Sequence, residues 1–150
     1  MRTEVQFSVF MVNKPGVLAR VLGEFAQAKI NVIAMTLMDS VEQGVMRIVT
    51  TAPAQAREVM KRLNMPFRET KVLCVNLSNQ PGALAEVAEK LAKHHINIAY
   101  AYCTAGARGG RTTGVLKVAD VEKAVKILQA RTDKSSKSGP TIRRSPASRR

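Results

Sequence analysis

Aromatic residues are scarce in this sequence, and their scarcity limits how a core can be built. They make up 4% of the 150 residues, whereas hydrophobic residues of all kinds make up 45%. The chain can therefore bury a core, but that core must consist mainly of Val, Leu, Ile, Ala and Met side chains. A chain of this length can form one medium-sized domain or two small ones, and composition does not choose between them.

Cysteines and long apolar runs are also few, which argues against two further classes of protein. Cys74 and Cys103 lie outside any CxxC pair, so we expect buried thiols and neither a disulfide framework nor a thiolate metal site. No apolar run approaches the roughly 20 residues of a membrane span, and Met1 to Phe7 lacks the pattern of a leader sequence. We therefore expect a soluble, cytoplasmic protein without a membrane partner.

Acidic residues are outnumbered by basic ones. The chain holds 24 Lys and Arg against 11 Asp and Glu, a formal net charge of +13. Residues 131–150 contribute seven basic residues and one acidic residue, or +6, and residues 1–130 contribute 17 and 10, or +7. Nearly half of the excess positive charge thus lies in a short C-terminal tail.

The most informative feature is an internal repeat with an offset of 66 residues. The segment NKPGVLA at residues 13–19 recurs as NQPGALA at residues 79–85, and Ile30-Asn31-Val32 recurs as Ile96-Asn97-Ile98. Upstream of the turn, three alternating apolar residues keep the same register: Phe7, Val9 and Met11 match Leu73, Val75 and Leu77. Such self-similarity indicates two copies of one structural unit.

The polarity pattern of the first copy predicts the order βαββαβ. The predicted elements are a strand over Val5–Met11, a helix from Val17, a strand over Ile30–Met38, a strand over Val45–Thr50, a helix with Pro53 in its first turn, and a strand from Phe67. Right-handed crossovers place both helices on one face of an antiparallel sheet. The fold class is therefore α+β, with two tandem ferredoxin-like modules.

The second copy departs from the first near its end. After a helix predicted over 120–130, no apolar strand follows, and the Ser-, Pro- and Arg-rich residues 132–150 are typical of a disordered tail. We divide the chain into modules at 1–70 and 71–131 and a tail at 132–150, and the pattern predicts no last strand for the second module. Its first strand then needs another neighbour, either the continuous segment from Phe67 to Leu77 or a partner chain.

An Asn-x-Pro-Gly-(Val/Ala)-Leu turn between strand one and helix one, followed by Ile-Asn-(Val/Ile), resembles the ACT domain, and both copies show it over roughly residues 3–130. The resemblance implies a non-catalytic regulatory protein that binds a free amino acid between modules, forms a homodimer and acts on an unidentified partner. It also implies that the turn and the start of strand two line the ligand pocket. The implied ligand-binding residues are Asn13, Pro15, Gly16, Val17, Leu18 and Asn31, with Asn79, Pro81, Gly82, Ala83, Leu84 and Asn97 in the second copy.

The chemistry of the turn supports the same site independently. A helix N-terminus offers unpaired N–H groups to a carboxylate, and Gly16 and Gly82 permit a close approach because they lack a Cβ. Asn13 and Asn79 can alternatively cap the helix through the side-chain oxygen. Many ACT turns carry Asp at position 13, so the Asn here removes a negative charge near the ligand. Asn31 and Asn97 are expected to be buried and either brace the backbone or contact the ligand.

Other patterns in the sequence do not indicate chemistry. His94 and His95 leave a helix end about 100° apart and cannot face one metal together. The glycine-rich stretch 106–114 lacks the Lys of a phosphate loop and links two strands, so it is read as a hairpin in which Arg108 and Arg111 can still contact an anion. No acid/base pair stands out. We therefore expect no enzyme activity, cofactor or metal.

Two alternative functions stay open at this point. The basic tail can bind RNA or DNA weakly and nonspecifically through phosphates, although the predicted third strands lack the aromatic residues with which RNA-recognition motifs stack bases. The pair of modules can also be a pure oligomerisation unit that has lost its ligand.

Overall fold

The computed structural model describes residues 1–38, 43–104 and 110–130. These residues form six strands and four helices, in the order β1 (Arg2–Val12), α1 (Val17–Gln27), β2 (Val32–Met38), β3 (Gln43–Thr50), α2 (Pro53–Arg62), β4 (Phe67–Ser78), α3 (Ala83–Lys93), β5 (Ile98–Cys103), β6 (Arg111–Val118) and α4 (Val121–Gln129). The predicted αβ order of both copies is thus confirmed.

All six strands belong to one antiparallel sheet, so the two modules do not have separate sheets. The strand order is β2-β3-β1-β4-β6-β5. β4 is a single strand of 12 residues that serves both modules: its residues from Phe67 to Cys74 pair with β1, and those from Leu73 to Ser78 pair with β6. The predicted boundary between residues 70 and 71 falls inside this strand.

The pairing of β1 with β4 explains how the second module dispenses with a fourth strand. Arg2 and Thr3 lie opposite Cys74 and Leu73, the position that a fourth strand of the second module takes in a ferredoxin-like sheet. The start of β1 therefore supplies the neighbour that the sequence left undecided. Among the described residues, the remaining stretch of β4, from Val75 to Ser78, has β6 on one side and no strand on the other.

A local twofold axis relates the two modules. Val5 pairs with Lys71, which is its own equivalent 66 residues further on. In an antiparallel pair this places the axis midway between these two residues, with each module's turn at the opposite end of the sheet from the other. The repeat in the sequence is therefore a symmetry of the fold.

Both pairs of helices pack on the same face of the sheet. Around β1 and β3, the buried side chains of α1 and α2 form one core, which contains Phe7, Val9, Met46, Ile48, Val21, Phe25, Val59 and Met60. Around β4 and β6, those of α3 and α4 form a second core, which contains Leu73, Val75, Leu77, Leu116, Val118, Leu91, Val121 and Ala124. As expected, aliphatic side chains dominate, because the alternating strand positions carry them.

The opposite face carries a third, smaller core instead of being fully exposed. Ala34, Val49, Val72, Cys74 and Val115 are buried there, with Ile33 and Tyr102 packed against them. These residues come from both edge strands and from the strands between, so the sheet curls until its two edges share one cluster. Cys74 is buried as expected, but Cys103 is exposed, because its side chain points away from this cluster at the end of an edge strand.

Burial of Cys74 predicts a loss of stability at alkaline pH. Desolvation, and secondarily Glu4, raises the pKa of its thiol to about 11, against about 8.5 for a free cysteine. The unfolded chain then releases this proton first, so stability is full below about pH 8.5 and falls as the pH rises toward about 11. We expect a loss on the order of 2 kcal/mol between pH 8 and 10.5 by urea denaturation. Cys74→Val should lose distinctly less, and an equal loss in both proteins would contradict this account.

Three segments of the chain that were interpreted from the sequence lie outside the residues that the structure describes. They are residues 39–42 of the first hairpin, residues 105–109 of the glycine-rich hairpin with Arg108, and residues 131–150 of the basic tail. Of the helices that the structure describes, the longest have 11 residues, and none is long and apolar enough to cross a membrane.

Candidate functional site

The two Pro-Gly turns have the same backbone conformation. Gly16 precedes α1 with φ 89° and ψ −19°, and Gly82 precedes α3 with φ 89° and ψ −18°. This is the left-handed region, which costs an L-residue roughly 1–2 kcal/mol and glycine almost nothing. The left-handed backbone conformation of each turn therefore favours glycine at this position. An added Cβ would meet no atom within 4 Å at either position, so both turns open to solvent.

The hydrogen bonds of the two turns are also equivalent. In the first turn Lys14 N–H donates to Val12 O (2.9 Å) and Arg20 N–H donates to Gly16 O (2.9 Å). The second turn repeats them at an offset of 66, from Gln80 to Ser78 (2.8 Å) and from Glu86 to Gly82 (2.9 Å). The expectation that Asn13 and Asn79 cap the helices is wrong, because glycine occupies each N-cap position.

Each turn presents backbone donors where a carboxylate can dock. The first turn of an α-helix leaves N–H groups without an intrahelical partner, which here are those of Leu18 and Ala19 in α1 and of Leu84 and Ala85 in α3. The positive end of the helix dipole adds to their attraction for an anion. The preceding residues of both turns, 13–16 and 79–82, are exposed, so a small molecule can reach these donors.

The space beside the two turns differs. A cavity of about 70 Å³ adjoins the first turn, and its lining is mainly apolar, with Val12, Leu18, Leu37 and Met38. A cavity of about 500 Å³ adjoins the second turn, along the stretch of β4 that has no second neighbour, and includes Asn76, Ser78, Gln80 and Glu86 in its lining. Of these two spaces, only the one at the second turn, an open cleft, has room for a whole amino acid.

Of the residues that line this larger cavity, Pro81, Gly82 and Ala83 belong to the site predicted from the sequence, whereas Asn76, Ser78, Gln80 and Glu86 were missed. A readable signal existed, because the repeat changes chemistry at equivalent positions. Phe10, Val12 and Lys14 of the first copy are replaced by Asn76, Ser78 and Gln80, and Arg20 is replaced by Glu86. Glu86 forms an ion pair with Lys90 at 3.1 Å, the pair that its spacing on α3 predicts.

Asn31 and Asn97 do not lie beside the turns of their own modules. They precede β2 and β5, which begin opposite the middle of the sheet, since Val32 pairs with Thr50 and Ile98 with Val118. From there to the first turn the sheet runs about seven residues, roughly 24 Å. Both asparagines are exposed, contrary to the expected burial, and Asn31 O accepts a hydrogen bond from Thr51 N–H at 3.0 Å. The structure thus brings together the predicted residues within each turn. It does not bring Asn31 to the first turn or Asn97 to the second.

Substitution of a turn glycine should separate conformation from contact. We expect Gly16→Ala to lower the free energy of unfolding by about 1–2 kcal/mol, because alanine is strained at positive φ although its Cβ meets no atom. Gly23 lies within α1 and its Cβ would also meet no atom within 4 Å. Gly23→Ala should therefore raise stability by roughly 0.5–1 kcal/mol. Urea denaturation of both variants checks this, and a loss in both would contradict it.

Titratable side chains do not form a further site in the part of the chain that is described. No group there of three or more His, Cys, Asp or Glu residues could hold a metal ion. The ring Nδ1 of His94 lies 2.9 Å from Lys90 O, so this histidine is occupied at the end of α3. The turns are therefore the candidate sites.

The known proteins that this chain resembles have the fold described above. A family model described as an ACT domain pair matches residues 2–135, while no curated protein matches the chain. Among solved structures, protein BT0572 from Bacteroides thetaiotaomicron is similar, with a TM-score of 0.77, 27% identity, and coverage of 84% of this chain and 86% of that one.

The regulatory subunit of aspartate kinase from Thermus thermophilus, solved without ligand, is similar in fold, with a TM-score of 0.63, 14% identity, and coverage of 85% of this chain and 95% of that one. A structure of aspartokinase alpha and beta subunits has a TM-score of 0.58 and 19% identity, with coverage of 83% and 89%. The family match spans both modules, and the two turns have the same geometry in each. The chain therefore belongs to the family of ACT domain pairs.

Proposed function

We propose that this protein binds a free amino acid at the turns that precede α1 and α3, and that the bound amino acid regulates another protein. The observation that carries this proposal is the duplicated turn, with glycine at φ 89° in both copies and the same hydrogen bonds around it. A turn needed only to start a helix has no need of a glycine in the left-handed region, since Ser, Asp or Asn caps do this commonly. Asp120 caps α4 in that way.

The second turn is the better site for a whole amino acid. The ligand's carboxylate docks at the N–H groups of Leu84 and Ala85, and its ammonium group faces the carboxylate of Glu86. At the first turn Lys14 and Arg20 replace the polar Gln80 and the acidic Glu86, so the ammonium group finds no acidic partner there. Occupancy of the second turn is therefore expected at lower ligand concentration.

A second copy of the chain is expected to complete the site. Within one chain the two turns lie at opposite ends of the sheet, so an amino acid cannot bridge them. The cavity at the second turn lies along the β4 stretch from Val75 to Ser78, a strand edge of the kind that favours association. We propose a homodimer in which ligand binding changes how the two copies meet, which shifts the population between two arrangements.

The fold shared with a regulatory subunit supports a regulatory role without catalysis. One protein of similar fold is a regulatory subunit of aspartate kinase, that is, a chain that acts on an enzyme. We propose that the present chain likewise acts on a separate protein, which its sequence does not identify.

A thermal-shift screen against the twenty common amino acids tests this function. A ligand at 100 times its Kd adds about 2.7 kcal/mol of stability, which is readily detected. One or two amino acids should raise the melting temperature, and Gly82→Val should abolish the shift while the variant still folds. Gly23→Ala, which changes a glycine remote from both turns, is the matched control and should keep the shift. Silence from every amino acid at millimolar concentration would refute the proposal.

A further inference from the structure

The helix-free face of the sheet carries a hydrogen-bonded cluster that joins the two modules. Gln6 of β1 is fully buried, and its Nε2 donates to Tyr100 OH at 2.8 Å and to Ser8 Oγ at 3.2 Å. Its Oε1 accepts a hydrogen bond from Tyr102 OH at 3.1 Å. We call Gln6, Ser8, Arg47, Tyr100 and Tyr102 the Gln6 cluster.

The cluster spans five of the six strands, from β3 to the edge strand β5. Tyr100 and Tyr102 stand on β5, an edge strand of the second module, whereas Gln6 stands on β1 of the first, and β6 and β4 lie between them. Arg47 of β3 lies 4.2 Å from the centre of the Tyr100 ring, within the range of a cation–π contact. These contacts can form only because the sheet is curled, and they stabilise the curled shape.

A buried amide held on both sides is sensitive to displacement. A buried polar group that loses its partner costs the full desolvation of that group, so Gln6 and the two tyrosines must move together. A shift of β5 therefore either carries β1 with it or breaks these hydrogen bonds, which is costly for the buried amide of Gln6. Such all-or-none behaviour is what a coupling element needs.

Neighbouring residues connect each end of the Gln6 cluster to one of the two turns. On the first-module side, Arg47 Nη1 lies 2.6 Å from Met38 Sδ, and Met38 lines the small cavity at the first turn. On the second-module side, Cys103 follows Tyr102 on β5 and pairs with Gly114. A Cβ on Gly114 would lie only 3.2 Å from Leu77 Cδ1, and Leu77 lines the cavity at the second turn.

We propose that the Gln6 cluster couples the two turns, so that a change at one turn alters the structure and the affinity of the other. The regulatory meaning of this coupling rests on the proposed function, although its structural part does not. Linkage requires the effect to be reciprocal. The local twofold axis supplies two turns, and the cluster makes them one responsive unit.

Amide hydrogen exchange without ligand tests the structural part. Gly82→Val perturbs the second turn, and we expect exchange in β1 and β3 of the first module to rise by about fivefold or more beyond the uniform rise that its loss of global stability, measured in urea, produces. The same substitution is then made together with Gln6→Leu, Tyr100→Phe and Tyr102→Phe, which removes the buried amide and both hydroxyl groups together, so that only the partly exposed Ser8 loses a partner. In that background the exchange of β1 and β3 should no longer respond to Gly82→Val.

Thr36→Val is the matched control background. Thr36 pairs with Arg47 on the same face but its side chain lies outside the Gln6 cluster, so the response to Gly82→Val should persist. Equal responses in the wild-type, control and triple-substituted backgrounds would overturn the inference. If an amino acid is found by thermal shift, its binding to the two turns should be cooperative in the wild type and independent in the triple variant. If none is found, the proposed function fails, while hydrogen exchange still decides the coupling.

Discussion

Leu73→Ala should lower the free energy of unfolding by about 3–4 kcal/mol, within the range for a fully buried leucine truncated to alanine. Leu73 is completely buried and stands where β4 passes from one module to the other, opposite Thr3 on β1 and Leu116 on β6. Because domains of this size have total stabilities of about 5–15 kcal/mol, this single change removes a large share.

The position of Leu73 also predicts how the protein unfolds. Since the sheet is continuous through this residue, we expect one cooperative transition for both modules, with far-UV circular dichroism and tyrosine fluorescence changing together in urea. Leu84, 42% exposed, provides the matched control, and Leu84→Ala should cost less than about 1 kcal/mol. Two separate transitions in Leu73→Ala would mean that the modules fold independently, which the shared strand argues against.

Phe25→Ala should have an effect of similar or greater size, about 3–5 kcal/mol. Phe25 lies on the inner face of α1, 1% exposed, within the core formed with β1 and β3. With Val21 it supplies the buried contacts that hold α1 on the sheet. Because α1 begins at the first turn, its loosening should also disorder the turn around Gly16.

Denaturation by guanidinium chloride measures this effect, and a second phenylalanine controls for residue type. Phe10 lies on β1 with 38% of its surface exposed, so Phe10→Ala should cost much less, about 1 kcal/mol. A comparable loss in both variants would show that the exposed phenylalanine contributes to packing outside the described core.

Sequence reasoning located most of the fold because local signals and tertiary requirements agree. Pro53 at the start of α2, Gly16 and Gly82 before α1 and α3, and Asp120 before α4 all mark helix starts that the structure shows. The alternation of Phe7 with Val9 and Met11 placed their side chains on the helix-covered face.

Burial was predicted wrongly for residues whose surroundings depend on a strand distant in the sequence. Cys103 and Tyr102 are neighbours on β5, yet one is exposed and the other packs on the third core. Successive side chains of a strand point to opposite faces, but only the curl of the sheet gives Tyr102 a core to pack on. The same curl buries Gln6, which reads in the sequence as an ordinary polar residue on the outer side of an alternating strand.

The repeat, the βαββ order, the ACT turns and their glycines follow from the amino-acid sequence alone, because these depend on side-chain period and on backbone conformation at single residues. Tertiary structure was needed to show that the two modules share one strand and one curled sheet, that the turns lie at opposite ends, and that Asn31 and Asn97 lie far from them. Strand pairing joins residues distant in sequence, such as Val5 with Lys71, and the curl of the sheet brings Gln6 within hydrogen-bond distance of Tyr100. No local pattern encodes which strand will be the neighbour.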